Sequence, residues 1–465
     1  MLSRSALGRN APRSLRKQCI ANPNSRRGMA AAAAPKGFDY ETGDAAGVKF
    51  ANREVAGPTT TLSLVAKAGS RYQPFPGYSD ILEKFAFKST VKRSALRITR
   101  ESELLGGELS SSHSRENVVL TAKFLSNDLP YYAELFAEVI SGTKYAQHEL
   151  NELVMGLVKY SQDGVLANPV AQALDSAHNV AFHRGLGEPL VPQSSSPFKK
   201  YVDVEGISAF AQAAYSKPSL AVVSSGANTA DLSKWVGQFF RDTPTATTAG
   251  LFSPRAYEPT KYFGGEQRIP SQAGNAVVIA FPGSGAFGTG AAYKPEFSVL
   301  AALLGGQSTI KWSPGSSLLS KAVDTYPNVN VSTSNAAYSD AGLFSVTISG
   351  NAQSVAAASK SVVETIKNVA AGNVASEEIK KATALAKFRA LEAGENLASS
   401  LEVTGSGLIH GGKPFQITEV GKSIDKVTEQ QVKAAAQSLL SNKASVASVG
   451  DLFTLPFAND IGLTV

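Results

Sequence analysis

Cysteine, histidine and long apolar runs are scarce in this sequence of 465 residues. The single cysteine, Cys19, lies close to the N terminus. The chain beyond it therefore has no disulfide, no cysteine nucleophile and no thiolate metal site, as is typical of a reducing compartment. No run of about 18 apolar residues occurs, so the sequence predicts no membrane-spanning helix. Any association with a membrane is expected to go through partner proteins.

Acidic residues are missing from the N-terminal segment, where none precedes Asp39. The 45 lysines and arginines of the chain outnumber its 38 acids by seven, which is the number of basic residues at positions 1–34. An acid-free composition rich in Arg, Ser and Ala, without a compact apolar core, is typical of a mitochondrial transit peptide. We predict a transit peptide and flexible lead-in over residues 1–34, cleaved between about 25 and 35. A disordered basic tail is the alternative. The rest of the chain is balanced in charge, so no nucleic-acid partner is expected. The seven basic residues are Arg4, Arg9, Arg13, Arg16, Lys17, Arg26 and Arg27.

The order of predicted helices and strands repeats after about 225 residues. A Pro/Gly/Thr-rich stretch at residues 241–268 lies between the two copies and reads as a linker. The sequence therefore predicts an α+β protein of two similar domains, residues 43–240 and 269–465. The matching segments are 110–125 with 329–349, 150–160 with 377–388, and 215–220 with 440–446.

Residues 77–90 read as a helix that carries a changed metal-binding motif. In the inverted zincin motif His-x-x-Glu-His, two histidines on one helical face hold zinc beside a catalytic glutamate. Here Glu83 has the glutamate position, but Asp80 and Lys84 stand where the histidines would be. A protonated lysine cannot bind a metal ion, and its ammonium group would lie where the cation belongs.

This helix, the strand pair with Arg115 and Glu116, the repeated domains and the basic leader resemble the pitrilysin-type metallopeptidase family. The resemblance implies two halves that face each other around a cavity like a clamshell. Each half would be a mixed sheet with helices on one face. It also implies a third ligand, a glutamate about 77 residues past the second histidine position. Tyr160 and Ser161 stand there instead. We therefore expect no catalytic residues, no bound metal and no cofactor.

Within this family the chain most resembles the non-catalytic core subunits of respiratory complex III. That resemblance implies a structural subunit, peripheral on the matrix side of the mitochondrial inner membrane. Its expected partners are the other core subunit, cytochrome b, cytochrome c1 and the Rieske subunit, in a dimeric complex. The chain itself would bind no haem and no iron–sulfur cluster. The segments that carry the resemblance are 156–159, 168–182, 313–319, 338–344 and 450–457.

Two other functions remain open from the residues. The presequence-binding α subunit of the mitochondrial processing peptidase also lacks zinc ligands, but it should have a glycine-rich loop. Here Gly305 and Gly306 are soon followed by Ile310, Lys311 and Trp312. The second alternative, an active metallopeptidase, needs ligands that the chain does not have.

The remaining candidate groups are interpreted as structural. Glu83 is expected to be a solvated helix residue. Asp80 and Lys84 are expected to form a surface ion pair worth about 0.3–0.5 kcal/mol. Residual zinc binding through Asp80, Glu83 and a distant group is the alternative. The five histidines are interpreted as structural or surface residues; they are His113, His148, His178, His183 and His410.

Overall fold

The structure, a computed structural model, describes residues 39–193, 198–245, 259–288, 292–307 and 315–465. The predicted transit peptide lies outside these residues. So do positions 246–258 of the predicted linker, and Ile310, Lys311 and Trp312. No helix in the described part of the chain is both long and apolar enough to cross a bilayer.

The first half of the chain forms a six-stranded mixed sheet in the order β1-β2-β6-β3-β5-β4. Its strands are β1 Glu41–Ala45, β2 Val48–Arg53, β3 Thr59–Ala66, β4 Glu108–His113, β5 Val118–Leu125 and β6 Leu220–Ser225. Its helices are α1 Tyr78–Lys84, α2 Ala95–Leu104, α3 Leu129–Gly142, α4 Gln147–Glu149, α5 Met155–Leu166, α6 Pro169–Phe182, α7 Phe198–Tyr201, α8 Val204–Ala214 and α9 Thr229–Phe239. A π-helical turn, Leu150–Val154, joins α4 to α5.

The second half repeats this plan with a five-stranded sheet in the order β7-β11-β8-β10-β9. Its strands are β7 Gly265–Pro270, β8 Asn275–Pro282, β9 Val329–Ala337, β10 Gly342–Gly350 and β11 Ser445–Gly450. Its helices are α10 Glu296–Leu304, α11 Leu318–Val323, α12 Ala352–Ala371, α13 Ser376–Glu395, α14 Leu397–His410, α15 Ile417–Asp425 and α16 Glu429–Ser441.

The two sheets have matching strand pairings, which confirms the predicted α+β class. In the first sheet β3 pairs antiparallel with β5 and β6, and β2 pairs parallel with β6. In the second, β8 pairs antiparallel with β10 and β11, and β7 pairs parallel with β11. Among the described strands, β1 has no counterpart in the second sheet. The hairpin of β1 and β2 was not predicted, and β7 begins at Gly265, inside the stretch predicted as a linker.

Strand β8 shows why both faces of each sheet must be covered. Its residues Asn275–Pro282 are almost all apolar, as expected of a strand buried on both sides. Val277, Ile279 and Phe281 belong to the core formed with the second half's own helices. The alternate residues belong to a different core, built with helix α6 of the first half; they are Ala276, Val278 and Ala280.

Helices α6 and α14 each cover the sheet of the opposite half. In α6, Ala173, Ala177 and Ala181 are fully buried at four-residue spacing, and these small side chains let the helix lie close to β8 and β11. In α14, Leu401 and Leu408 pack in one core with residues of β2 and β6. The prediction placed helices on one face of each sheet and did not say what covers the other face. That second face is apolar as well, so a helix of the opposite half covers it.

A buried ion network also joins the halves. The Arg71 guanidinium donates to both carboxylate oxygens of Asp340, at 2.6 and 2.7 Å, and to Glu116 at 2.9 Å. Glu116 also accepts hydrogen bonds from the backbone and the hydroxyl of Ser339, at 2.9 and 2.6 Å. Burial alone would raise the pKa of Asp340, but the hydrogen bonds and charge of Arg71 lower it to about 2. The network fixes the β4–β5 turn of one half against the second half.

His178 on α6 gives this contact a pH dependence. Its ring accepts a hydrogen bond from the Tyr338 hydroxyl at 2.8 Å, and burial, aided by the charge of Arg115, lowers its pKa to about 3. Below about pH 6.5 the unfolded chain binds a proton that the folded chain does not. We expect the free energy of unfolding to fall by about 1.3 kcal/mol between pH 7 and 5.5 on account of this group. Urea unfolding of the wild type and of His178→Gln at both pH values measures it. An equal pH dependence in the variant would contradict the assignment.

Candidate functional site

Helix α1 carries the changed zincin motif and begins at a left-handed glycine. Gly77 has φ 97°, a conformation that favours glycine. The Gln73 side chain accepts hydrogen bonds from the backbone N–H groups of Gly77 and Ser79, at 2.9 and 3.4 Å, and so caps the first turn. Ile81 and Leu82 are buried in the first-half core. The helix therefore lies on the sheet, and Asp80 in its first turn is completely buried.

Four titratable side chains meet between α1 and strand β4. The Lys84 ammonium donates to Asp80 Oδ1 at 2.7 Å and to Glu83 Oε2 at 3.0 Å. From β4, the Ser111 hydroxyl donates to Glu83 Oε1 at 2.7 Å. His113 Nδ1 lies 3.5 Å from Glu83 Oε2 and 3.9 Å from Asp80 Oδ1. We call Asp80, Glu83, Lys84 and His113 the α1–β4 cluster.

Burial of this cluster corrects three interpretations made from sequence. The Glu83 side chain is only 12% exposed and is not a solvated helix residue. The ion pair between Asp80 and Lys84 forms, but Asp80 is fully buried, so the pair is not at the surface. His113 belongs to the site, since its ring faces both carboxylates. These differences have one cause: β4 packs over the polar side of α1, and a helix pattern alone does not show what covers a charged face.

The carboxylates and the cationic groups of the α1–β4 cluster lie close together and shift one another's pKa values. For Glu83, burial would raise the pKa, but hydrogen bonds from His113 and Ser111 and the Lys84 charge lower it to about 2. For Asp80, burial outweighs the charges of His113 and Lys84, and the pKa is raised. For Lys84, burial lowers the pKa less than the charge and hydrogen bond of Asp80 raise it. The neighbouring carboxylates likewise raise the pKa of His113 despite its burial. The cluster thus holds two acidic groups against two cationic ones.

The cluster as it stands does not fit the zinc ion of the peptidase family. Three potential ligand atoms, from Asp80, Glu83 and His113, lie within 4.8 Å of one another. The Lys84 ammonium, however, already bonds to the oxygens that a cation would use. At the position of the third ligand, on α5, Tyr160 and Ser161 have no carboxylate. Tyr160 is 79% exposed, and the Ser161 hydroxyl donates to the Leu157 carbonyl. Glu83, ionised and hydrogen-bonded to Lys84 and Ser111, is a weak general base.

Sequence reasoning missed the contributions of β4, although a weak signal was present. Ser111 and His113 are two residues apart on a strand, so they share one face. That face was predictable, but its position opposite α1 depends on the antiparallel pairing of β4 with β5, in which His113 lies opposite Val118. Tertiary structure, not spacing along the chain, brings the histidine to the motif.

Comparison with known proteins gives consistent matches along the chain. Residues 50–193 match the insulinase-type peptidase family M16, and residues 201–385 match the M16 inactive domain. Mitochondrial cytochrome b-c1 complex subunit 2 of Neurospora crassa is 50% identical over all of both chains. The protein of that name in Yarrowia lipolytica is 38% identical, over 91% of this chain and 96% of the relative. The mouse protein is 29% identical, over 89% of this chain and 90% of its own.

Proposed function

Because this chain belongs to the M16 peptidase family and carries a lysine in its metal-binding motif, we propose that it is a structural subunit of the mitochondrial cytochrome b-c1 complex. In that role it supports electron transfer from ubiquinol to cytochrome c without catalysing proteolysis. The observation that carries the proposal is the Lys84 ammonium bonded to Asp80 and Glu83, where a peptidase of this family needs a metal ion. Relatives with this subunit name in fungi and mammals, similar over almost their whole length, support the assembly.

We propose that the chain pairs with core protein 1 and contacts cytochrome b, cytochrome c1 and the Rieske subunit on the matrix side. An apolar stripe extends from the π-helical turn onto one face of α5 and supports a role in subunit contacts. Its residues Leu153, Leu157 and Tyr160 are 48, 43 and 79% exposed. On α13, which has the same place in the second half, Phe388 is 60% exposed. Exposed apolar groups at helical spacing are typical of surfaces that bind protein partners. Membrane association would follow from these contacts.

A native gel of mitochondria in mild detergent, with the chain tagged at Val465, tests the assembly. Haem b and haem c absorbance that migrates with the tag in a large complex is the expected result. A small soluble heterodimer that cleaves presequences would instead identify the processing-peptidase α subunit. The relatives' shared subunit name favours the first outcome.

The non-catalytic role predicts that Glu83→Gln lowers the stability of the chain but leaves the activity of the assembled complex intact. The substitution keeps the shape of the side chain but removes a buried charge that Lys84 and Ser111 bind, so we expect a loss of about 1.5–3 kcal/mol in stability. Ubiquinol–cytochrome c reductase activity per assembled complex should stay unchanged. Glu103→Gln, at an exposed position of α2, is the control for the loss of one negative charge. A severe respiratory defect with normal levels of the Glu83→Gln chain would count against the structural role.

A further inference from the structure

We propose that Lys84 is a built-in cation that keeps divalent metal ions out of a latent site formed by Asp80, Glu83 and His113. Two of these residues come from α1, and the histidine comes from β4, outside the zincin motif. The site would take a zinc-like ion through two carboxylate oxygens and one imidazole nitrogen, a donor set that zinc accepts. The inference concerns the lysine's effect on metal binding and stands apart from the subunit role.

The three donors are already close to a metal-binding geometry. A tetrahedral zinc ion with bonds of about 2.0–2.1 Å holds its ligand atoms roughly 3.3 Å apart. His113 Nδ1 lies 3.5 Å from Glu83 Oε2 and 3.9 Å from Asp80 Oδ1. Small adjustments of the side chains would bring all three donors to one ion.

The orientation of His113 is that of a metal-ligating histidine. Its Nε2 lies 3.0 Å from the Leu190 carbonyl oxygen, which can only accept, so Nε2 carries a proton. Nδ1 therefore faces the two carboxylates, and the backbone carbonyl holds the ring in place. Histidines that bind metals in proteins are generally fixed in this way through their second nitrogen.

Asp80 adds an independent observation. Its side chain is completely buried, and among the described residues its Oδ2 atom has no hydrogen-bond partner. A buried carboxylate oxygen without a donor is costly, and a metal ion would satisfy it. The ammonium of Lys84, bonded to Oδ1, leaves this oxygen unpaired.

Lys84 excludes a cation by charge and by position. Its ammonium lies 2.7 Å from Asp80 Oδ1 and 3.0 Å from Glu83 Oε2, so an incoming ion would meet a positive charge already bonded to the two oxygens that it would use. Without that charge, the two buried carboxylates would keep only His113 as a cationic neighbour, and a divalent ion in place of the ammonium would restore the positive charge that was lost.

The test compares Lys84→Met with the wild type in the full-length tagged chain, equilibrated with zinc and then desalted. Methionine keeps the length of the side chain but removes its charge. We expect zinc affinity at least about 100-fold above that of the wild type. Lys84→Arg keeps the charge and should show no gain. The double variant Lys84→Met/His113→Ala should lose at least about 10-fold of the gain.

Cobalt absorption and thermal unfolding supply further measurements. A visible Co²⁺ spectrum that needs His113, or a melting temperature of Lys84→Met that rises with zinc, supports the latent site. If Lys84→Met folds only in the presence of zinc, that result supports it as well. If Lys84→Met takes up no more zinc than the wild type, folded or not, the inference is wrong. An equal gain in Lys84→Arg would also overturn it. The native-gel result for the wild type is unaffected by either outcome.

Discussion

Replacing Arg71 with methionine is expected to lower the free energy of unfolding by about 3–5 kcal/mol. The Arg71 side chain is 6% exposed and compensates Glu116, also 6% exposed, and Asp340, 30% exposed. Removing the guanidinium leaves two carboxylates close together in a buried contact between the halves. Breaking a buried pair by removing one partner is costly because the remaining charge has lost its compensation. Urea unfolding of the full chain at pH 7 measures the loss.

The control for this substitution is an exposed ion pair of similar length. Lys387 Nζ lies 2.6 Å from Asp425 Oδ2, but the two side chains are 39 and 49% exposed. Lys387→Met should therefore change stability by less than about 1 kcal/mol. The double variant Arg71→Met/Asp340→Leu should recover part of the loss, because it removes a second charge from the same contact. Equal effects of Arg71→Met and Lys387→Met would show that the network does not hold the halves together.

Local signals in the sequence were sufficient for several elements. The pair Asn168-Pro169 predicts the start of a helix, and α6 begins there: Asn168 Oδ1 accepts hydrogen bonds from the N–H groups of Val170 and Ala171. The apolar run that ends before Gly305 predicts a helix over residues 296–304, and α10, Glu296–Leu304, has these bounds. The bounds of these helices depend on residues that are neighbours in the chain, and the sequence shows such residues directly.

Other features depend on residues far apart in the chain and could not be predicted. The alanines of α6 indicate a buried face, but nothing in their spacing shows that it covers the sheet of the other half. The i,i+4 pair of Asp80 and Lys84 was predictable from helical geometry, whereas its burial under β4 was not. The same limit applies to Arg71, whose partner Asp340 lies 269 positions away.

Replacing Leu401 with alanine is expected to have an effect of similar size, because it would leave a cavity beneath α14. Leu401 is fully buried and lies in one apolar core with Ala51, Ala221 and Val223 of the first-half sheet. Deleting a buried leucine side chain typically costs about 2–5 kcal/mol, the larger values occurring where the surroundings cannot collapse. Small residues on both sides of the contact, including Gly405 against Val65, leave little that could move into the space.

Val403→Ala, on the same helix, is the matched control, since Val403 is 40% exposed and should lose less than about 1 kcal/mol. Urea unfolding of both variants separates packing against the sheet from any general weakening of α14. A loss in Leu401→Ala no larger than that in Val403→Ala would mean that α14 does not cover the first sheet in solution. A large loss in Leu401→Ala alone would show that a helix of the second half completes the core of the first. The first sheet would then depend on a helix of the second half, and the Arg71 network would add to a contact between the halves that apolar packing already stabilises.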